Sequence, residues 1–96
     1  MTLDDTLRKL KALTQALQGF KVKSLHVFGS VARGESDDHS DVDLLVEFTE
    51  PVGLFAFVRL QRFLQEILEV RVDLTTPGAL RESMREDVLR EAVRAA

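Results

Sequence analysis

The sequence contains no cysteine, which rules out disulfides and thiolate metal sites and suits a reducing cytoplasm. It has no tyrosine and no tryptophan, and its six phenylalanines fall within apolar patterns. A platform for stacking nucleic-acid bases is therefore not expected. Positive charge is also in short supply: 13 basic against 16 acidic residues give a net charge of −3. That balance argues against a protein that grips DNA or RNA by its phosphates. No apolar run approaches the ~18 residues a membrane helix needs. The N-terminal Met1-Thr2-Leu3-Asp4-Asp5 is polar and acidic where a secretory signal would be basic and then apolar. No internal repeat, low-complexity segment or linker interrupts the chain. What remains is an ordinary globular composition, 45% hydrophobic and 30% charged. Its 96 residues predict a single domain over 1–96, near the small end of what folds unaided.

Taken in order, Thr2 and Asp5 form a capping-box-like helix start. Leu3, Leu7, Leu10, Leu13 and Leu17 then recur at helical spacing, predicting one amphipathic helix ended by Gly19. Ser24–Phe28 reads as a first strand, and Arg33 to Ser40 as a polar loop after a short helical turn. Asp41–Phe48 is a second strand, with Val42, Leu44, Leu45, Val46 and Phe48 suggesting burial on both faces. Leu54–Glu69 is a long helix, and Arg71–Thr75 a third strand stopped by Pro77-Gly78. A last amphipathic helix is predicted from about Arg85 to Ala95, with Val88, Leu89, Ala92 and Val93 on one face. The order α-β-α-β-α-β-α describes a small layered α/β domain.

The chemistry concentrates around the first two strands. Asp41 and Asp43 stand at alternate positions of a strand and so share a face, about 6 to 7 Å apart, with Val42 buried behind them. Carboxylates held that close repel one another, and a divalent cation is the natural remedy. Upstream, Gly29-Ser30 ends the first strand in a tight turn whose backbone N–H groups suit phosphate. Gly29 lets backbone approach the phosphates, Ser30 adds a hydroxyl, and Arg33 offers a bidentate guanidinium, or pairs with Glu35 or Asp37 instead. Ser40 can orient Asp41 or cap the loop. Together these predict a site for a nucleoside triphosphate with Mg²⁺. Asp37, Asp38 and His39 read as loop residues and His26 as structural. Arg81 and Arg85 read as a solvated helix face, and Lys21 and Lys23 carry no clear signal.

The pattern Gly29-Ser30 followed by Asp41-x-Asp43, 12 positions after the glycine, resembles the signature of the DNA polymerase β-like nucleotidyltransferase superfamily. The fuller string GSVARGESDDHSDVDLLVEF is similar to its minimal nucleotidyltransferase branch, the antitoxins of HEPN–MNT toxin–antitoxin pairs. The likeness continues through Pro51–Leu54 and Val72–Leu80. It implies a polymerase β-like core, a three- to four-stranded mixed sheet packed with helices. It also implies that Asp73 is the third carboxylate, facing Asp41 and Asp43 across strands ~4.8 Å apart. Three such carboxylates would hold two Mg²⁺ ions ~3.5–4 Å apart. Asp73 would act as general base, directly or through a metal.

Larger relatives carry an acceptor-binding domain for which this chain leaves no room, so the acceptor hydroxyl is expected on another molecule. The resemblance implies a helical HEPN ribonuclease toxin whose tyrosine receives AMP from ATP. Two alternatives remain open at this point: an antitoxin that neutralises its toxin by binding alone, and a transferase acting on a small-molecule hydroxyl.

Overall fold

The computed structural model describes residues 2–35 and 41–96. Helix α1 (Leu3–Lys11) starts at its expected cap: the Asp5 amide donates to the Thr2 hydroxyl at 3.1 Å. One of the orphan donors of the first turn is thereby satisfied. The single helix predicted to Gly19 is divided, because α1 stops at Lys11 and α2 (Thr14–Gly19) begins after two residues. Across the break the Thr14 hydroxyl donates to the Lys11 carbonyl at 2.9 Å, a local bond that competes with continued helix. Leu10 and Leu17 are both buried all the same, so the leucine periodicity runs through the break unmarked. The chain then turns at Lys21, which takes a left-handed conformation (φ 64°).

Strand β1 (Val22–Phe28) leads into the one-turn helix α3 (Gly29–Ala32), and β2 (Val42–Phe48) returns antiparallel to β1. Helix α4 (Leu54–Leu68) carries the chain back to β3 (Val72–Thr75), which runs parallel to β2. A parallel pair needs such a crossover, and a helix is its usual form. A single 3₁₀ turn, Pro77–Ala79, precedes α5 (Glu82–Glu91).

The end of the chain departs most from expectation. Instead of a helix from Arg85 to Ala95, α5 ends at Glu91 and a short strand β4 (Val93–Arg94) follows. Leu89, assigned to the apolar face, is 52% exposed, while Val88 is buried. The reason is non-local. Without β4, one side of β1 would show an open row of backbone groups. The tail closes it: the Ala95 amide donates to the Leu25 carbonyl at 2.7 Å, and the Leu25 amide donates to the Ala96 carbonyl at 3.0 Å. Those bonds outweigh a weak local helix preference.

The result is a four-stranded mixed sheet ordered β3-β2-β1-β4, matching the three- to four-stranded sheet expected. One face packs against α1, α2 and α4. Leu25, Val27, Val42, Leu44, Val46, Val72 and Leu74 meet Leu10, Leu17, Leu60, Leu64 and Leu68 there in a single core. At the outer edge, two carboxamides from α4 serve the backbone of β3. Gln61 Nε2 donates to the Val72 carbonyl at 2.9 Å, and the Val72 amide donates to Gln65 Oε1 at 3.1 Å.

Candidate active site

Strand alternation fixes where the carboxylates go. Val42, Leu44, Val72 and Leu74 face the core, so Asp43 and Asp73 project from the reverse face. The parallel register sets Asp43 directly opposite Asp73, as expected of the third strand. Asp43 and Asp73 are thus close enough for each carboxylate to feel the other's charge. The Asp43 carboxyl is pushed up to about 6, first by burial, then by the charges of Asp73 and Asp41. The Arg33 guanidinium acts in the opposite direction and does not offset them. Asp41 lies one residue before β2, exposed to solvent.

Gly29 takes a left-handed conformation, φ 74°, which favours glycine. A Cβ there would also collide with Oδ2 of Asp43. The sequence suggests a close approach of this backbone to phosphate; the structure shows that its immediate neighbour is a carboxylate. Ser30 follows as the second residue of α3, half-buried. Arg33 caps the end of α3 and pairs with two carboxylates. Its Nε donates to Glu35 at 2.9 Å, and its Nη1 donates to both oxygens of Glu91, at 3.1 and 3.2 Å. The bonds to Glu35 and then to Glu91 raise the guanidinium pKa further. Of the partners the sequence offers Arg33, Glu35 is paired with it, while Asp37 lies outside the described residues.

Ser40, with Asp37, Asp38 and His39, lies outside the described residues. His26 sits in β1 between Leu45 and Arg94 of the flanking strands, its Nδ1 buried without a partner among the described residues. Arg85 donates to the Pro77 carbonyl at 3.0 Å, and Lys21 pairs with Glu50.

Sequence reasoning missed Glu91. It falls on the helix that was placed too far along the chain, and no local pattern ties it to Gly29, 62 residues away. Beside it opens a cleft of about 490 Å³ lined by Arg33, Met84, Asp87, Val88, Arg90 and Glu91.

Among the described residues, no three His, Cys, Asp or Glu side chains are gathered closely enough to hold a metal ion by themselves. The paired carboxyls of Asp43 and Asp73 are nonetheless hard oxygen donors carrying uncompensated negative charge. They fit a cation such as Mg²⁺, which commonly takes one or two protein carboxylates and completes its shell with water and phosphate. Among the described residues, no helix is long and apolar enough to cross a membrane.

The nucleotidyltransferase domain family matches residues 7–95, and the chain belongs to that family. It is 39% identical over 94 residues to the protein adenylyltransferase MntA of Thermococcus cleftensis, spanning 97% of this chain and 95% of that one. It is similar to the solved structure of a candidate minimal nucleotidyltransferase, with a TM-score of 0.83 and 40% identity over 97% of this chain and 95% of the other. Its fold also recurs in the complex of a tri-AMPylated Shewanella oneidensis HEPN toxin with an MNT antitoxin. There the TM-score is 0.68 at 17% identity, over 95% of this chain and 71% of that one.

Proposed function

We propose that this nucleotidyltransferase moves AMP from ATP to a tyrosine hydroxyl of a helical HEPN ribonuclease, in the cytoplasm, and so acts as the antitoxin of that toxin. The observation that carries the reading is the facing pair Asp43 and Asp73, with Gly29 against Asp43. The 39% identity to a protein adenylyltransferase over nearly the whole chain supports it. So does the shared fold with a complex in which an AMPylated HEPN toxin accompanies its MNT antitoxin.

In this reading Asp43 and Asp73, with Asp41 at the entrance of the strand, hold Mg²⁺. When bound, Mg²⁺ neutralises triphosphate charge and makes the attacking hydroxyl more acidic. The Gly29 amide, the Ser30 hydroxyl and the Arg33 guanidinium receive the phosphates. The acceptor oxygen attacks the α-phosphorus in line, Asp73 takes its proton, and the bond to the β-phosphate oxygen breaks to release pyrophosphate. Catalysis consists mainly of orientation and charge neutralisation. A cation at the pair would favour the ionised form of Asp43, which burial and the neighbouring charges disfavour.

The test is the intact mass of the genetically adjacent helical protein after incubation with this chain, ATP and Mg²⁺. Mass gains in AMP-sized steps, absent with Asp43→Asn, are the expected outcome. A stable complex of unchanged mass would instead mean neutralisation by contact, and a mass gain only on a small-molecule hydroxyl would mean a different acceptor class.

A further inference from the structure

We propose that Glu91 is a built-in stand-in for phosphate, a carboxylate parked on the donors that a nucleotide needs and evicted when the nucleotide binds. The inference rests on the nucleotide reading above and adds its regulation. The Gly29 amide donates to Glu91 Oε1 at 3.3 Å, and Arg33 Nη1 reaches Oε1 at 3.1 Å and Oε2 at 3.2 Å. A carboxylate and a phosphate present the same chemistry to such donors: two oxygens sharing negative charge, matched to a backbone N–H and a guanidinium. The Gly29 amide can serve one anion at a time at this range. A triphosphate arriving at the same donors would also lie against the Glu91 charge, in a site that already holds Asp41, Asp43 and Asp73. Like charges at that distance oppose one another.

The surroundings give the side chain somewhere to go. Glu91 is the last residue of α5, and Ala92 leads directly into β4, which is paired with β1. Its backbone is therefore tied down while its side chain is free to rotate. It borders the cleft of about 490 Å³ whose wall includes the Arg90 guanidinium, and its side chain is already 29% exposed. Eviction is then a rotamer change, on the picosecond to nanosecond scale of partly exposed side chains. It needs no movement of α5. Until it happens, Arg33 is held ready beside α3 and the phosphate donors stay closed to weak anions.

Calorimetric titration with ATP and Mg²⁺ compares the wild type with Glu91→Gln, Glu91→Ala and Asp43→Asn. Both Glu91 variants should bind about five- to tenfold more tightly than wild type, as expected when a charge-assisted competitor is removed. Equal or weaker binding by both would overturn the proposal and make Glu91 a residue that merely positions Arg33. If wild type binds, Asp43→Asn does not, and the Glu91 variants match wild type, the stand-in falls while the nucleotide site stands. If no variant binds ATP, both fall. A second readout is the Gly29 amide resonance. Wild type and Glu91→Ala should differ in the free state and coincide with ATP bound; a difference persisting in the bound state would overturn eviction.

Discussion

On the core face of β2, Val42, Leu44 and Val46 are wholly buried among leucines and valines. On the reverse face, Asp43 lies one residue from each of its buried neighbours and opposite Asp73. The same seven-residue strand thus holds wholly packed apolar side chains and a carboxylate crowded by others. One face is stabilised by close packing. The other carries crowded negative charge that folding alone leaves unbalanced. Alternation lets a chain of this size keep the two apart at a cost of one residue spacing, and substitutions at adjacent positions should then act with opposite sign.

The largest effect is expected on the packed face. Leu44→Ala should lower unfolding free energy by about 3 kcal/mol in urea, since it empties a core position. A loss below about 1 kcal/mol would mean that this face is not packed as described. Gly29→Ala should cost about 2 kcal/mol, from the left-handed backbone and from the push on Asp43, and should also weaken ATP binding. Retained stability together with retained binding would break the link between the turn and the carboxylate.

Asp43→Asn reverses the sign. In chelator at pH 7 it should stabilise the fold by about 1 kcal/mol, discounted from the full shift because the group is only half-buried, while abolishing Mg²⁺-dependent ATP binding. A destabilised variant would show that the carboxylate serves the fold. The smallest signal is in pH. The folded state holds the Asp43 proton up to about 6, whereas an ordinary aspartate releases it near 3.8. Between those values the folded state binds more protons, so metal-free stability should fall as pH rises from about 4 to about 6. Chelated wild type and Asp43→Asn, unfolded side by side in urea, would show whether that slope belongs to this residue; an equal slope in both would assign it elsewhere.

The sequence made the carboxylate face legible because its signal is local. Asp43 between two buried apolar residues needs only the two-residue period of a strand, whereas Asp73 was marked by the family resemblance, and Asp41, expected in the strand, stands one residue before it. The Thr2 cap and α4 were legible for the same reason. What escaped depends on distant partners. The exchange of helix for strand at Val93 is decided by the open side of β1, and the break between α1 and α2 leaves the leucine spacing intact. The Arg33 guanidinium had several carboxylates within sequence reach, yet half of its pairing comes from Glu91, 58 residues away. The collision that reserves position 29 for glycine is likewise a contact between two strand ends, invisible in the local run.

The two glutamines of α4 that bond to the Val72 backbone bear on how this protein meets other molecules. An outer strand ordinarily offers its amides and carbonyls to any extended chain that passes, which invites runaway stacking of copies. Gln61 and Gln65 act as a permanent, non-propagating substitute for that extra strand, matching its donor and acceptor but ending the ladder there. A visitor at Val72 finds no backbone left to zip onto. At that residue, then, recognition rests on the shapes and charges of side chains and not on an added strand.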